Sequence, residues 1–300
     1  MENFKIVTFT NNLKKDLYTL IYFCVCAMKH NLQNDIIINL GTEDYRIFCE
    51  KTSGGYYKDK EFKVLFELLK NFNIKLRDDF LFTEKQVKMK KFYRVWIDKI
   101  KTIFYYDYGC DSILYVDTDC MLNDNITSIY NMFNDFYNKI KVFNWFSPSG
   151  YLNIEKYDNI DFFWINSCTI FIKNKKDINK TEILNYFLIN KNKVSDFVFK
   201  ILHERPGIDL FKYYWAEEVT ISLFFSKFLH KNNIKTTEWL DLINKSFLEN
   251  NYIIMFSESS MFIECLNYFN DNFHKSRIYH CLCKDVLKHK AIEYLNNFNK

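Results

Sequence analysis

The chain has 300 residues, of which 48% are hydrophobic and 26% are charged, values typical of a globular protein long enough to bury a large core. With only two prolines and six glycines, the composition excludes a long disordered or linker segment. A formal net charge of +4 is too small for a dedicated nucleic-acid-binding domain, so we expect no nucleic-acid partner.

Short apolar strands alternate with helical patterns in the first third of the chain. Residues 4–10 and 35–40 predict strands, and residues 17–28 and 58–73 predict helices. The apolar run 17–28 follows a strand and is shorter than the roughly 20 residues of a membrane span, so it predicts a buried helix. Solidly apolar strands separated by helices indicate a parallel sheet covered on both faces.

A long amphipathic segment, residues 84–106, leads to a strand that ends in two aspartates. Beyond them, residues 141–146 and 162–173 predict strands, and we expect the second to be long. The last part of the chain mixes short strands, 252–256 and 277–283, with terminal helices. The remaining predicted helices are 181–189, 195–202 and 213–230. No shift in composition marks a domain boundary.

The two aspartates, Asp117 and Asp119, are one residue apart at the end of an apolar strand. Residues two apart in a strand point to the same side, and ligands bind beyond the carboxyl ends of strands in open α/β sheets. Because two close carboxylates repel each other, a hard divalent cation completed by phosphate oxygens would stabilise the pair. The pair therefore predicts a metal–diphosphate site, with capping of the turn at 123–125 as the structural alternative.

The stretch "ILYVDTDCML" (113–122) resembles the D-x-D strand of GT-A fold glycosyltransferases, including the glycogenin-like and bacterial galactosyltransferase-like groups. Five further segments resemble motifs of that family in order: "FKIVTFTNN", "KFYRVW", "FFWINSCTIFI", "WAEEVTISLF" and "YHCLCK". Cys168 replaces the glycine of the family's N-[AS]-G motif. The resemblance implies an α/β fold of the GT-A (Rossmann-like) type, a three-layer α/β/α sandwich with a mostly parallel central sheet. It also implies one domain, 1–300, with a nucleotide-binding half (1–125) and a sugar and acceptor half (126–300) that includes a C-terminal metal-ligand segment.

The resemblance further implies a metal site and a nucleotide-sugar site. Asp119 would coordinate Mn²⁺ (or Mg²⁺), Asp117 would bind the cation or the ribose, and His280 would complete the protein ligands. His274 and His289 compete with His280 for that place. The residues implied to bind the nucleotide sugar are Thr8, Thr10, Lys91, Arg94, Asp117, Asn166, Ser167 and Lys284.

Two glutamates, Glu217 and Glu218, open the helix predicted at 213–230 and are the catalytic candidates by the same resemblance. An inverting enzyme needs a carboxylate base to activate the acceptor hydroxyl, and a retaining enzyme needs a carboxylate or amide near the anomeric carbon. Because glutamate in a first helical turn is also stabilised by the helix dipole, a structural role stays open. Trp164 and Trp215 flank the sugar-side motifs and are candidate walls of the sugar pocket.

The function implied is a metal-dependent glycosyltransferase that moves a sugar from a nucleotide-diphosphate sugar, with UDP expected, to a glycan or protein acceptor. Two alternatives stay open: a Mg²⁺-dependent phosphatase or nucleotidyltransferase that uses the same aspartates, and an inactive nucleotide-sugar-binding module. Nine cysteines in scattered positions, without a signal peptide, predict reduced thiols, a cytoplasmic location and no membrane span. The run "HCLC" (280–283) is a weak zinc pattern because the usual C-x-x-C pairs are missing.

Overall fold

The computed structural model describes residues 3–10, 12–52, 60–76, 98–141, 143–157, 159–174, 186, 216–250, 252–256 and 262–297. For residues 42–43, 51–52, 76, 151–155, 216–217 and 254–256 the description covers the backbone only. The predicted segments 84–97, 181–185, 187–189, 195–202 and 213–215 lie outside the described residues, as do Lys91, Arg94 and Trp215.

The strands are, in chain order, β1 (Phe4–Thr10), β2 (Ile36–Leu40), β3 (Asn73–Leu76), β4 (Ser112–Val116), β5 (Cys120–Leu122), β6 (Trp145–Phe146), β7 (Gly150–Tyr157), β8 (Ile160–Ile165), β9 (Thr169–Ile172), β10 (Ile253–Phe256) and β11 (Ile278–Cys281). The helices are α1 (Leu17–Lys29), α2 (Thr42–Thr52), α3 (Lys60–Leu69), α4 (Ile126–Ile140), α5 (Ala216–Lys231), α6 (Thr236–Ile243), α7 (Phe262–Asn272) and α8 (Lys284–Asn297). Two π-helical turns, Lys101–Tyr105 and Asn244–Leu248, and one 3₁₀ turn, Phe273–Lys275, complete the described elements.

A six-stranded sheet of order β3-β2-β1-β4-β9-β6 forms the centre of the fold. The first four strands are parallel, and β9 runs antiparallel to both β4 and β6. Every residue of β2 and β4 is buried, as expected for parallel strands covered on both faces. The predicted α/β class with a mostly parallel central sheet is confirmed.

Helices cover both faces of this sheet. Phe171 of β9 stacks on Phe133 of α4, with ring centroids 5.3 Å apart. Trp145 of β6 pairs with Ile172, the residue next to Phe171, and therefore points to the opposite face. There it meets Phe104 of the first π-helical turn, with ring centroids 5.0 Å apart. The two helical layers and the sheet make the expected three-layer sandwich.

A smaller sheet of order β10-β11-β5 brings the C-terminal part of the chain beside the aspartates. β11 runs antiparallel to β5, and His280 pairs with Cys120 in this register. The backbone N–H of Cys281 donates to the carbonyl of Asp119 at 3.0 Å. This pairing places the C-terminal histidine next to the D-x-D turn, although the two are far apart in sequence.

One prediction of local structure was wrong, and some elements were not predicted. The strand expected at 162–173 is two strands, β8 and β9, because Asn166 Oδ1 accepts a hydrogen bond from the Cys168 backbone N–H at 3.0 Å and turns the chain. Helix α4 was not predicted, yet Asn125 caps it by accepting from the Ser128 backbone N–H at 2.9 Å. Among the described residues, no helix is long and apolar enough to cross a membrane.

Candidate active site

The D-x-D turn lies at the carboxyl edge of the central sheet, directly after β4. The Asp117 backbone N–H donates to the Cys168 carbonyl at 2.8 Å, and the Cys120 backbone N–H donates to the Asp117 carbonyl at 3.0 Å. These bonds fix the turn between β4 and β5 from two sides. Three short segments therefore meet here: the turn itself, the loop before β9 and strand β11.

Both carboxylate oxygens of Asp117 have protein donors. The Tyr115 hydroxyl donates to Oδ1 at 2.6 Å, and Lys99 Nζ donates to Oδ2 at 2.9 Å. Lys99 also donates to Ser167 Oγ at 3.1 Å. Its side chain is only 12% exposed, and that of Asp117 is 28% exposed, so the ammonium ion is largely removed from water. Lys99 thus links the D-x-D turn to the loop before β9.

Asp119 faces His280 instead. His280 Nε2 lies 3.5 Å from Asp119 Oδ1, and the side chains are 5% and 16% exposed. Among the described residues, neither Asp119 Oδ1 nor His280 Nδ1 has a hydrogen-bond partner. Burial by itself raises the pKa of Asp119, but His280, Lys284 and Lys99 together bring that pKa below its ordinary value. His280, Lys284 and Lys99 therefore stabilise the ionised form of Asp119.

A third carboxylate, Asp16, lies on the other side of this region. Thr10 Oγ1, at the end of β1, donates to Asp16 Oδ2 at 2.8 Å, and Lys284 Nζ lies 4.0 Å from Asp16 Oδ1. Burial raises the pKa of Asp16, and the charge of Asp119 raises it further, whereas Thr10 and Lys284 act in the opposite direction. Lys284 is the first residue of α8, and its side chain is half exposed.

Glu218 closes the site at the start of α5. Its carboxylate accepts hydrogen bonds from the Trp164 indole N–H, the Ser167 backbone N–H and Ser167 Oγ, the last two at 3.1 Å. One and two turns further along α5, Ser222 and Ser226 accept from backbone N–H groups of β8. Glu218 is thus the first member of a polar stripe that joins α5 to β8 and to the loop before β9.

Two cysteines lie beside His280. Cys120 Sγ, Cys168 Sγ and one imidazole nitrogen of His280 all lie within 4.8 Å of one another, and all three side chains are buried. Burial by itself raises the pKa of the Cys168 thiol, but Cys120 and the charge of His280 bring it below its ordinary value. Burial lowers the pKa of His280, but Cys168 and Asp119 raise it well above its ordinary value. The weak "HCLC" zinc pattern thus contributes only His280 to this group.

The other predicted residues lie in different environments. Asn166 and Ser167 belong to the loop before β9, in which the Cys168 carbonyl accepts from the Asp117 backbone N–H and Ser167 contacts Glu218, and Thr10 contacts Asp16. Thr8 is fully buried, and its hydroxyl has no partner among the described residues. The Glu217 side chain, Lys91, Arg94 and Trp215 lie outside the described residues.

Trp164 is only 2% exposed, so it packs inside the protein and does not form an open wall of the sugar pocket. Of the competing histidines, His274 is exposed and His289 pairs with Glu293.

The sequence reasoning missed three contributors to the site. Lys99 belongs to the amphipathic segment 84–106, in which the family resemblance pointed to Lys91 and Arg94. Tyr115 lies in the apolar strand before Asp117, and its position two residues before that acid places both side chains on one side. Asp16 carried no signal in the sequence, because only the fold brings it beside Lys284 of α8.

Comparison with known proteins gives structural similarities only. No protein-family model matches the chain, and no curated protein matches it. The chain is similar to mouse xyloside xylosyltransferase 1, at 11% identity and a TM-score of 0.42, over 94% of this chain and 98% of that one. It is similar to the galactosyltransferase LgtC in complex with donor and acceptor sugar analogues, at 12% identity and a TM-score of 0.36, over 98% and 95%. It is also similar to the glycosyltransferase GlyE of Streptococcus pneumoniae, at 13% identity and a TM-score of 0.39, over 97% and 60%.

Proposed function

We propose that this protein is a metal-dependent glycosyltransferase that transfers a sugar from a nucleotide-diphosphate sugar, with UDP as the expected nucleotide, to a glycan or protein acceptor. One observation carries the proposal. At the carboxyl edge of the central sheet, Asp119 Oδ1 lies 3.5 Å from His280 Nε2; this oxygen is buried and has no hydrogen-bond partner among the described residues. Lys99 and Lys284 act on the same carboxylate.

The residues of this edge fit a divalent cation. Asp119 Oδ1 is a buried oxygen without a hydrogen-bond partner in the described part of the chain, and it faces His280 Nε2. Mn²⁺ favours carboxylate oxygen and also accepts imidazole. Asp117 fits a more distant role, toward the ribose or through water, since Lys99 and Tyr115 occupy its oxygens. When bound, the cation would supply stabilisation of the charge that develops on the leaving diphosphate.

Two lysines would serve the donor in different ways. Lys99 holds Asp117 and Ser167 in fixed positions, so the turn and the loop are organised before a ligand arrives. Lys284 is 51% exposed and 4.0 Å from Asp16, a separation at which its ammonium group can turn to a donor phosphate. We therefore assign Lys99 to positioning and Lys284 to direct contact with the diphosphate.

The two glutamates also divide into different roles. Glu218 accepts from Trp164 and from two donors of Ser167, which supports a role in positioning the loop before β9. A carboxylate already engaged by three donors is a poor base for an acceptor hydroxyl. Glu217 therefore stays the candidate base of an inverting reaction. Substitution of Glu217 would distinguish this catalytic role from the positioning role of Glu218.

The proposal is tested by measuring thermal unfolding with a panel of nucleotide sugars, each with and without Mn²⁺. A specific donor raises the apparent melting temperature by mass action, and we expect the rise only when Mn²⁺ is present. The selected donor is then followed for release of the nucleoside diphosphate, with and without an acceptor sugar. Release of inorganic phosphate from simple phosphate esters would favour a phosphatase, and binding without turnover of any donor would favour a non-catalytic module.

A further inference from the structure

The buried group of Cys120, Cys168 and His280 is a second set of ligand atoms beside the proposed donor site. Its three atoms lie within 4.8 Å of one another, and the residues are 0%, 3% and 4% exposed. Each comes from a different element: Cys120 from β5, His280 from β11 and Cys168 from the loop before β9. Only the folded chain assembles them.

The chemistry of this group differs from that of the D-x-D aspartates. Two thiols and an imidazole favour a soft or borderline cation such as Zn²⁺, whereas Mg²⁺ and Mn²⁺ favour carboxylate oxygen and water. The sulfur contacts in the described structure are weak: Cys120 Sγ lies 3.5 Å from the Cys168 carbonyl oxygen, and Cys168 Sγ lies 3.6 Å from Thr169 Oγ1. These contacts leave both sulfurs able to bind a metal.

The orientation of His280 adds an independent observation. Its Nε2 faces Asp119 at 3.5 Å, and its buried Nδ1 has no hydrogen-bond partner in the described part of the chain. A histidine that binds a metal through one ring nitrogen commonly directs the other toward a carboxylate, which fixes its tautomer and orientation. The pair of Asp119 and His280 has this arrangement, with Nδ1 left for a metal.

We propose that Cys120, Cys168 and His280 bind a thiophilic divalent cation of the Zn²⁺ type, with Asp119 orienting the imidazole. Binding requires both cysteines as thiolates and His280 as a neutral imidazole, so it would release the protons that these three side chains hold, and the two thiolates would balance the charge of the cation. The site would tie β5, β11 and the loop before β9 together. Occupation by Zn²⁺ would also withdraw His280 from the donor cation, so the two metals would compete for one imidazole.

The test is the metal content of the full-length protein after exposure to Zn²⁺ and removal of excess metal. We expect one equivalent in the wild type, loss of that equivalent in the Cys120→Ser/Cys168→Ser double variant, and retention in Cys24→Ser/Cys26→Ser. The control pair is equally buried, on α1. Circular dichroism and thermal unfolding establish that each variant is folded.

A second measurement keeps the proposal falsifiable if the double variant does not fold. Co²⁺ bound by thiolates gives intense ligand-to-metal charge-transfer absorption in the near ultraviolet, and we expect this in the wild type. Absence of these bands together with no retained Zn²⁺, or a Cys120–Cys168 disulfide in freshly prepared protein, would overturn the proposal. Neither readout uses sugar transfer, so a failure of the glycosyltransferase proposal would leave this result unaffected.

Discussion

The Tyr115 hydroxyl donates a hydrogen bond of 2.6 Å to Oδ1 of Asp117, two residues further along the chain. Tyr115 is 1% exposed. It therefore orients Asp117, the first acid of the D-x-D turn, from inside the protein. With Lys99 on the other oxygen, Asp117 is a fixed carboxylate. Asp119 is the acid that remains able to bind a ligand, and the predictions below follow from this difference.

Tyr115→Phe removes the buried donor and leaves Asp117 Oδ1 without it. We expect a loss of about 1–3 kcal/mol in the free energy of unfolding, measured by chemical denaturation. Tyr279→Phe is the matched control, because Tyr279 is also fully buried but its hydroxyl has no partner in the described structure. That control should be neutral or stabilising. Equal losses in the two variants would contradict the role given to the Tyr115 hydroxyl.

Lys99→Met should disturb the link between the D-x-D turn and Ser167. The loss of a partly buried ion pair leaves the Asp117 carboxylate uncompensated, and we expect a destabilisation of about 1–3 kcal/mol, below the cost for a fully buried pair. Donor affinity should fall as well. Lys156→Met breaks an ion pair whose side chains are 65% and 64% exposed, and it should cost less than about 1 kcal/mol. Unchanged stability and donor affinity in Lys99→Met would show that this lysine does not organise the site.

Glu218→Gln tests whether this glutamate positions the loop before β9. The amide keeps one acceptor oxygen but loses the charge, so we expect a destabilisation of about 1–3 kcal/mol and an altered tryptophan fluorescence from Trp164. Glu238→Gln, at an exposed position in the first turn of α6, is the control; it should cost less than about 1 kcal/mol and leave the fluorescence unchanged. If Glu218→Gln abolished transfer while stability and fluorescence stayed the same, a catalytic role would replace the positioning role.

The buried Asp16 carboxyl predicts a pH dependence of stability. Because its pKa is raised in the folded state, the folded protein binds the proton more tightly than the unfolded chain does. The stability that Asp16 contributes is therefore fully present at pH values below its pKa in the unfolded chain. It is lost as the pH rises from that value through the higher pKa of Asp16 in the folded protein. Asp16→Asn should remove this loss, so the variant gains stability relative to the wild type as pH rises. Parallel stability profiles for the two proteins across this range would contradict the prediction.

The central part of the fold follows from the sequence because its signals are local and strong. Strands β1, β2 and β4 are mostly apolar, and the predicted helix 17–28 matches α1 closely. The break between β8 and β9 was missed because Asn166 turns a run of residues that is otherwise continuous and strand-like. The hydrogen bond that the Asn166 side chain accepts from the Cys168 backbone N–H turns the chain despite the local preference for a strand. The hydrophobic periodicity of the sequence gives no sign of this turn.

Several contacts of the candidate site depend on tertiary structure and could not be predicted. The pairing of β5 with β11 brings His280 beside Cys120, and that register is decided by elements more than a hundred residues apart. Lys99 was passed over because helical periodicity alone does not tell which of several basic residues points to the sheet edge. The family resemblance identified the D-x-D acids, but it gave no reason to expect thiols beside His280.

The most direct test of the account is donor turnover by the wild type and by Asp119→Asn, each measured with Mn²⁺ and with EDTA. We predict that wild-type release of the nucleoside diphosphate requires Mn²⁺, and that Asp119→Asn lowers it on the order of 100-fold. Asp161→Asn, at a position with a 64% exposed side chain, should behave like the wild type. Transfer that persists in EDTA and survives the Asp119 substitution would contradict the proposed site.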